Sequence, residues 1–270
     1  MISVLILTKN EESDLPTCIA SLKWSDDIHV FDSMSTDRTV ELANELGAKV
    51  TQRAFDGYAR QRNAGLHQIN YKHPWVLILD ADEIVPEALR IEMETFVSSA
   101  PEGVVACRIR RRDFFMGRWL KHAQMSPFFV RLVMPNRVRY EREVNEVLIA
   151  DGEIVDLKNP FDHFPFSKGI THWVDKHNRY SSMEAQELVR QRAAHKPSLK
   201  SALFERDFNN RRVAQKAIFY RMPLRPLVKW LFLVIAKRAF LDGKPGMTYA
   251  RLMMIYEYLI DLKAKEIESS

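Results

Sequence analysis

The sequence is poor in cysteine and has no long apolar segment, and each absence excludes a class of protein. Its two cysteines, Cys18 and Cys107, cannot build a disulfide framework, and no CxxC pair occurs. A disulfide-stapled secreted domain is therefore excluded, and a reducing cytosol is the compartment that this composition fits. The longest uncharged apolar run, residues 230–236, is far shorter than the roughly 20 residues that span a bilayer. We therefore expect no transmembrane helix.

Glycine-rich phosphate-binding motifs are also missing. The nine glycines form neither GxGxxG nor GxxxxGK[ST], and the sequence has no HExxH. A dinucleotide-binding fingerprint and a P-loop are thereby excluded. If the protein binds phosphates, a metal ion and Arg or Lys side chains must take the place of a glycine-rich cradle.

Strand-like apolar runs alternate with helix-like segments through the first half of the chain. Residues 2–7 follow no basic region and no small-residue cleavage site, so they predict a first strand rather than a signal peptide. Further strands are predicted at residues 28–32 and 48–52, and over the run that ends at Asp80. This alternation predicts an α/β fold with a parallel, doubly wound sheet, whose ligand crevice lies past the carboxyl ends of its strands.

Two carboxylates follow the most apolar of these runs. Asp80 and Asp82 are separated by one small residue, and Glu83 comes directly after them. Two carboxylates so placed can serve one hard cation that also contacts substrate phosphates. The alternative is an acidic turn that caps the helix predicted to begin near Pro86, because D-x-D by itself is a weak motif.

Four motifs in order give the chain a resemblance to a known family. They are SVLILTKNEE (3–12), DSMSTDRT (32–39), RQRN (60–63) and DADE (80–83), with supporting pieces FVRL (129–132), VNEV (144–147) and RAFLDGKPG (238–246). The chain resembles family 2 glycosyltransferases, and within them the lipopolysaccharide-core β-1,4-glucosyltransferase group. The resemblance implies the GT-A fold: a Rossmann-like, mostly parallel sheet flanked by helices, here with a helical C-terminal extension.

The resemblance also implies roles for residues at the strand ends. Thr8, Glu11 and Asp32 would contact the base and ribose of a nucleotide-diphosphate sugar, most readily a UDP-sugar. Arg62 would pair with the diphosphate, and Asp80 would contact the ribose or the metal. Asp82 would bind Mg²⁺ or Mn²⁺ through the DxD motif. The alternatives are helix capping or turn formation for Thr8, Glu11 and Asp32, and a solvated helix face for Arg62.

Inverting sugar transfer needs a base that takes the proton of the acceptor hydroxyl. Glu146 matches the position of the catalytic glutamate in the resembled group, although Asn145 stands where that group commonly has His. If residues 140–148 are extended, Glu146 lies between Val144 and Leu148 on one face, whereas Glu143 points the other way. Glu143 is the rival base, and an ion pair with a nearby arginine is the alternative for Glu146.

Two further residues are weaker candidates for the acceptor or the diphosphate. Arg131 lies in the FVRL motif, and His163 lies in a DHFP segment. His163 could be a further metal or diphosphate contact, or an ordinary core or surface histidine. Residues 108–119 interleave arginines with aromatic side chains, and we interpret them as an acceptor-binding loop. A nucleic-acid patch is the alternative, but no nucleic-acid-binding motif accompanies them, and no nucleic-acid partner is expected.

Positive charge is concentrated in one segment of the chain. Residues 196–240 hold eleven Lys or Arg against two acids, a local net of +9, so the rest carries −4 of the total +5. Such asymmetry indicates an anionic partner, and basic residues beside apolar ones suit a helix on an anionic membrane. Packing within the protein explains the apolar stripes equally well.

These observations predict a catalytic domain over residues 1–165 and a partly basic helical region over residues 166–270. The function predicted is that of a metal-dependent inverting hexosyltransferase of lipopolysaccharide biosynthesis. It would move a hexose, for example glucose, to a lipid-linked cell-surface glycan. We expect a cytoplasmic protein, peripheral on the inner face of the cytoplasmic membrane. The alternatives are a polyprenyl-phosphate glycosyltransferase and a non-catalytic nucleotide-sugar-binding protein of the membrane surface.

Overall fold

Two compact units make up the protein, as a computed structural model shows. The first comprises Met1–Phe114 and Ser126–Ser167, and the second comprises Phe115–Met125 and Lys168–Ser270. The structure describes residues 1–124, 126–141, 147–194, 202–203, 211, 214–215, 218–222 and 224–269. The first unit contains the sheet, and the second is mainly helical.

The first unit is built on a mostly parallel sheet. The strands of the chain are β1 (Ser3–Thr8), β2 (Ile28–Asp32), β3 (Lys49–Gln52), β4 (Val76–Asp80), β5 (Glu83–Ile84), β6 (Val104–Phe115), β7 (Arg118–Trp119), β8 (Phe128–Val133), β9 (Val138–Glu141), β10 (Val147–Ala150), β11 (Glu153–Asp156) and β12 (Phe161–His163). The main sheet has the order β3-β2-β1-β4-β8-β6-β12-β5, with β11 also on β6, while β9 and β10 form a separate antiparallel pair. The strands β3, β2, β1 and β4 are parallel, and β8 is antiparallel to β4 and β6. The predicted α/β class is confirmed.

The helices of this unit are α1 (Leu15–Ala20), α2 (Thr39–Glu45), α3 (Tyr58–Gln68) and α4 (Glu87–Ser98). Side chains of the central strands alternate between two cores. Val4, Ile6 and Leu77 enter one core, whereas Leu5 and Ile78 enter the other, and all five are fully buried. Because both faces of β1 and β4 are covered, these strands are continuous apolar runs in the sequence. This burial explains why the sequence located them correctly.

A buried polar network closes the amino-terminal end of the sheet. The carboxylate of Asp27, whose side chain is fully buried, accepts hydrogen bonds from Ser3 Oγ (2.6 Å), the backbone N–H of Lys72 (2.8 Å) and Lys49 Nζ (2.7 Å). Burial alone would raise the pKa of Asp27, but these donors outweigh it and hold the pKa well below the ordinary value. The carboxylate is therefore ionised in the folded protein.

Replacing Asp27 with asparagine should lower the free energy of unfolding by about 3 kcal/mol at pH 7, because Lys49 loses its partner and two donors lose their best acceptor. The native pKa lies below the unfolded value, so the stabilisation is fully present above about pH 4 and is lost as the pH falls towards the native pKa. The difference between wild type and variant should shrink by about 1.4 kcal/mol per pH unit below that point. Urea titrations at pH 7, 4 and 3 measure it.

Glu102→Gln is the matched control, because Glu102 is exposed in the loop before β6. Its unfolding free energy should follow that of the wild type at every pH. A constant difference between Asp27→Asn and wild type from pH 7 to 3 would show that Asp27 is not held ionised by its neighbours.

The second unit contains α5 (Gly169–Ala194), α6 (Arg225–Leu231), a π-helical turn (Phe232–Ala236), a 3₁₀ turn (Ala239–Asp242) and α7 (Gly243–Ser269). Ala185 and Leu188 of α5 pack against Ile260 and Ala264 of α7. The helix that begins at Arg225 does not continue regularly to Leu241, because it widens at Phe232 and Arg238 adopts a left-handed backbone (φ 57°). Among the described residues, no helix is both long and apolar enough to cross a bilayer.

The DGKPG motif forms the junction between the 3₁₀ turn and α7. Asp242 is buried, and its Oδ2 accepts the backbone N–H groups of His122 (2.9 Å) and Ala123 (2.7 Å). A Cβ at position 246 would lie 2.2 Å from the carbonyl oxygen of Ala239, so only glycine fits there. The motif therefore has a structural role within the second unit.

Candidate active site

Three side chains come together at the carboxyl edge of the parallel strands. In the strand register Thr8 lies opposite Asp32, and Leu7 lies opposite Asp80. The last residues of β1, β2 and β4 are therefore neighbours across the sheet. A hydroxyl and two carboxylates stand where ligands bind in open α/β sheets.

Asp32 organises the loop that follows β2. Its buried carboxylate accepts hydrogen bonds from Thr8 Oγ1 (2.9 Å), the backbone N–H and hydroxyl of Ser35, and Gln52 Nε2 (3.1 Å). Burial alone would raise the pKa of Asp32, but these donors lower it below the ordinary value. Asp32 is thus an ionised anchor of the loop at residues 33–37, and contact of Asp32 or Thr8 with a nucleotide stays a prediction.

Glu11 lies in the facing loop after β1. Its backbone N–H donates to Thr39 Oγ1 (2.7 Å), and its carbonyl oxygen accepts the N–H groups of Asp14 (3.1 Å) and Leu15 (2.9 Å). The backbone of Glu11 therefore connects the β1 loop to α1 and α2. A nucleotide contact by its side chain stays a prediction.

Asp80 lies between two arginines. Arg131 Nη2 donates to Asp80 Oδ2 (3.0 Å), and Arg62 Nη2 lies 3.7 Å from Asp80 Oδ1. Burial would raise the pKa of Asp80, but Arg131 and Arg62 outweigh it and hold the pKa well below the ordinary value. More than a third of the Asp80 side chain remains exposed (38%), so the carboxylate is ionised and accessible.

Arg131 and Glu83 form a buried ion pair beneath this carboxylate. Glu83 is fully buried, its Oε1 accepts a hydrogen bond from Arg131 Nη2 (2.5 Å), and its Oε2 accepts the backbone N–H of Asp80 (3.0 Å). Burial and the neighbouring aspartates raise the pKa of Glu83 to about 7 in spite of Arg131. The guanidinium of Arg131 is itself buried and packs between the rings of Phe129 and Phe161. Arg131 therefore holds Asp80 and Glu83 in place.

Asp82 pairs with a histidine of β12, the strand that is paired with β5 directly after Asp82. Its Oδ2 lies 3.2 Å from Nε2 of His163, and Nδ1 of His163 makes a hydrogen bond with Asp113 Oδ1. Burial would lower the pKa of His163, but Asp113 and Asp82 raise it to about 9. Asp113 is buried and lies directly opposite His163 in the register of β6 and β12.

These residues fit a divalent cation. A carboxylate oxygen and a ring nitrogen 3.2 Å apart can contact one ion once the ring has lost its proton. A carboxylate on the other ring nitrogen, here that of Asp113, is the usual support for a metal-binding histidine. Within the described part of the chain, no three His, Cys, Asp or Glu side chains are grouped to enclose a metal by themselves. The remaining ligands would therefore be water or substrate oxygens, as is common for Mg²⁺.

The RQRN motif connects this cluster to β9. The guanidinium of Arg62 lies over the ring of Tyr140, 5.5 Å from its centroid. Asn63 makes two hydrogen bonds with the backbone of Tyr140, donating through Nδ2 to the carbonyl oxygen (2.8 Å) and accepting the N–H through Oδ1 (2.7 Å). The motif thus fixes β9 beside the arginine that faces Asp80.

Glu146 and its rival Glu143 lie outside the described residues. The described strands on either side, β9 and β10, pair from Val147 opposite Glu141 to Ala150 opposite Val138. The assignment of the base stays a prediction.

Residues 108–119 are mainly strand, and the prediction of an acceptor-binding loop there is wrong as to structure. Arg108 pairs with Asp156 of β11 (2.6 Å), and Arg112 pairs with Asp162 of β12 (2.5 Å). These arginines join neighbouring strands, because each faces a carboxylate across the sheet. Phe114 instead stacks on Phe164 (centroids 5.2 Å apart), whose backbone N–H donates to the carbonyl oxygen of Asp82. An aromatic pair therefore lies beside the carboxylates.

Glu83 and Asp113 belong to the cluster although the sequence predicted no role for either. The signal for Glu83 was its place directly after the DxD motif. The signal for Asp113 was weaker: it is the one acid within the arginine-rich run at residues 108–119.

Comparison with known proteins matches the chain to glycosyltransferases. The profile of Glycosyl transferase family 2 matches residues 3–152. An uncharacterized glycosyltransferase of Rickettsia typhi is 28% identical over 279 residues, which cover 98% of this chain and 87% of the relative. One from Rickettsia felis is 33% identical over 209 residues, 70% of this chain and 71% of the relative. The lipopolysaccharide core biosynthesis glycosyltransferase LpsC of Rhizobium meliloti is 28% identical over 198 residues, 70% of this chain and 72% of the relative.

Solved structures with some likeness include S. aureus TarS 1-349, with a TM-score of 0.42 and 14% identity over 100% of this chain and 92% of that one. Glucosyl-3-phosphoglycerate synthase from Mycobacterium tuberculosis, in complex with Mn²⁺, UDP and glucosyl-3-phosphoglycerate, has a TM-score of 0.34 and 25% identity, covering 43% of this chain and 44% of that one.

Proposed function

The chain belongs to glycosyl transferase family 2, and on that premise we propose that it is a metal-dependent inverting hexosyltransferase that uses a UDP-sugar. The observation that carries the proposal is the cluster at the carboxyl edge of the sheet. Asp80 and Asp82 lie there beside a half-buried arginine, Arg62, and a histidine that a second carboxylate supports, His163. A nucleotide diphosphate is bound by a divalent metal ion, which carboxylates can hold, and by a basic side chain that pairs with its phosphates.

Asp82 and His163 would hold the cation, Mg²⁺ or Mn²⁺, which when bound would neutralise the charge that develops on the departing diphosphate. Asp113 keeps the His163 ring oriented. Arg62 would contact the diphosphate from the side of α3, since it already lies 3.7 Å from the accessible carboxylate of Asp80. Arg131 is buried against Glu83 and supports Asp80, so we assign it to positioning rather than to the diphosphate or acceptor.

The nucleoside would lie over the ends of β1 and β2. Thr8 and Asp32 are joined there by a hydrogen bond, and Asp32 orders the loop at residues 33–37. Glu11 lies in the facing loop, whose backbone is tied to Thr39. These two ordered loops would contact the base and ribose.

The transfer step needs one proton acceptor. The acceptor hydroxyl would attack the anomeric carbon, the bond from that carbon to the diphosphate oxygen would break, and Glu146 would take the hydroxyl proton. Attack opposite the leaving group inverts the anomeric configuration. The role of Glu146 rests on its match, within the VNEV segment of this chain, to the position of the catalytic glutamate in the resembled group.

For the acceptor we propose a lipid-linked cell-surface glycan such as lipopolysaccharide core. The similarity to LpsC supports this class, although at 28% identity. The stacked rings of Phe114 and Phe164 beside Asp82 offer an apolar surface for a sugar ring. A glycolipid acceptor implies a cytoplasmic enzyme that is peripheral on the inner face of the cytoplasmic membrane, with anionic lipid as its partner.

A thermal-shift screen of nucleotide sugars tests the proposed function. We expect UDP-glucose or another UDP-hexose to raise the Tm when Mn²⁺ or Mg²⁺ is present, and to raise it much less in EDTA. Stabilisation by a ligand follows its concentration relative to Kd, so about 100 times Kd should contribute about 2.7 kcal/mol. If no nucleoside-diphosphate sugar changes the Tm with or without metal, the proposed function fails.

A further inference from the structure

The end of the second unit that contains α6 exposes an unusual amount of apolar surface. Eight large apolar side chains between residues 222 and 241 are exposed, among them Leu224 (72%) and Ile235 (66%); the others are Met222, Leu227, Leu231, Phe232, Phe240 and Leu241. Soluble proteins rarely expose so many neighbouring apolar side chains unless they contact a partner.

The helical stretch formed by α6 and the π-helical turn carries four of them and has two distinct faces. Arg225, Lys229 and Leu233 follow one another at intervals of four, and this inner face packs towards α7: Arg225 is 1% exposed and pairs with Glu257 (3.0 Å), and Leu233 is buried. Leu227, Leu231 and Ile235, also at intervals of four, lie on the opposite face and are exposed. We call the exposed set from Leu224 to Leu241 the apolar face.

Charge along the segment that carries the apolar face is of one sign. In the sequence, residues 222–241 contain four Lys or Arg and no Asp or Glu. Arg238 is exposed, and Lys237 Nζ lies over the ring of Phe232, 5.8 Å from its centroid. Arg225 is one of the cations that the sequence places in this segment, but its buried pairing with Glu257 removes it from any surface role.

We infer that the apolar face is a membrane-docking surface, which enters the headgroup boundary of a bilayer with Leu231, Phe232 and Ile235 while Lys237 and Arg238 contact anionic phospholipid. An amphipathic helix with a cationic border binds in this way, lying in the interface rather than crossing it. Docking through this surface would bring the enzyme to a lipid-linked acceptor, and this use of the surface rests on the proposed function.

A second copy of the chain is the competing occupant, and the charges disfavour it. A two-fold interface brings the same patch of both copies together, so Lys237 and Arg238 of one copy would meet cations of the other with no acid in the segment to pair them. An anionic lipid surface supplies the opposite charge and an apolar interior together.

Vesicle sedimentation of the full chain, without any sugar donor, tests the inference. Wild type should bind phosphatidylcholine vesicles poorly, should bind increasingly as phosphatidylglycerol is added, and should be released by high salt. Leu231→Gln combined with Ile235→Gln should lower the partition coefficient about tenfold or more, because two apolar side chains no longer enter the bilayer. Lys237→Gln combined with Arg238→Gln should weaken binding and flatten its dependence on salt.

Ile255→Gln is the matched control, since Ile255 is an exposed isoleucine (51%) on α7 and is not part of the apolar face. It should bind vesicles like wild type, and all variants should keep the wild-type Tm shift with UDP-sugar.

If wild type does not bind anionic vesicles at low salt, or if the apolar-face variant binds as well as Ile255→Gln, the inference is wrong. A dimer that the apolar-face substitutions dissociate, with no change in vesicle binding, would assign the face to self-association instead. Either failure would leave the proposed function standing, because donor binding is measured separately.

Discussion

Asp82→Ala is expected to lower kcat about 10³-fold or more while the protein stays folded. Asp82 is the carboxylate that faces His163 Nε2, and no third acidic, His or Cys ligand among the described residues is placed to replace it. Loss of one group that stabilises developing charge typically costs about 10²–10³-fold, and loss of a cation that also orients the diphosphate costs more. EDTA should reduce the activity of the wild type to a similar extent. Turnover with UDP-hexose and Mn²⁺ binding by electron paramagnetic resonance measure the two effects.

Asp156→Ala is the matched control for this substitution. Asp156 is a carboxylate of the same unit. It lies on β11, outside the DxD turn, and pairs with Arg108. Its variant should keep wild-type kcat and Mn²⁺ binding. Full activity of wild type in EDTA, or Mn²⁺ binding unchanged in Asp82→Ala, would contradict a metal role for Asp82.

Glu146→Gln is expected to lower kcat at least ~10²-fold with little change in donor affinity, because glutamine keeps the shape of the side chain but cannot accept a proton. A base that acts on the acceptor hydroxyl should not contribute to nucleotide binding. The UDP-dependent rise in Tm should therefore be the same in variant and wild type, while transfer to the acceptor falls. Steady-state kinetics with both substrates varied would separate the two effects.

Glu143→Gln and Glu141→Gln are the controls that locate the base. Glu141 ends β9 and is paired with Arg139 on the exposed side of that strand, so its variant should keep full activity. If Glu143→Gln has the large effect and Glu146→Gln does not, the base lies on the other face of the segment between β9 and β10. Equal and small effects of all three would place the base elsewhere.

The fold class and the grouping of the residues at the strand ends were both predictable from the sequence. An apolar run long enough for a strand, with no polar alternation, indicates a strand buried on both faces, and β1 and β4 are such strands. Parallel strands end at one edge of a sheet, so residues that follow them must be near one another. For that reason the order of strands and carboxylates along the chain was sufficient to group Thr8, Asp32 and Asp80.

Local patterns did not predict which side chains pair within that group. Arg131 was expected to contact a ligand, but β8 lies between β4 and β6, and this order brings it under Asp80 and Glu83, far away in sequence. His163 could be ranked only weakly, because its support, Asp113, comes from another strand 50 residues earlier. Strand order depends on how all strands and helices cover one another, and no local spacing encodes it.

In the second unit, too, the sequence predicted the helices but not which of their side chains are buried. Apolar periodicity was sufficient to predict that residues beyond Gly169 are helical, since helix formation depends on neighbours three and four residues apart. Whether a cation on such a helix is buried or exposed depends on what packs against its face. Arg225 and Arg238 are alike in sequence, but Glu257 on α7 pairs with Arg225 in the interior and leaves Arg238 at the surface. Tertiary packing decided this difference, because burying a charge is favourable only where the fold supplies its partner.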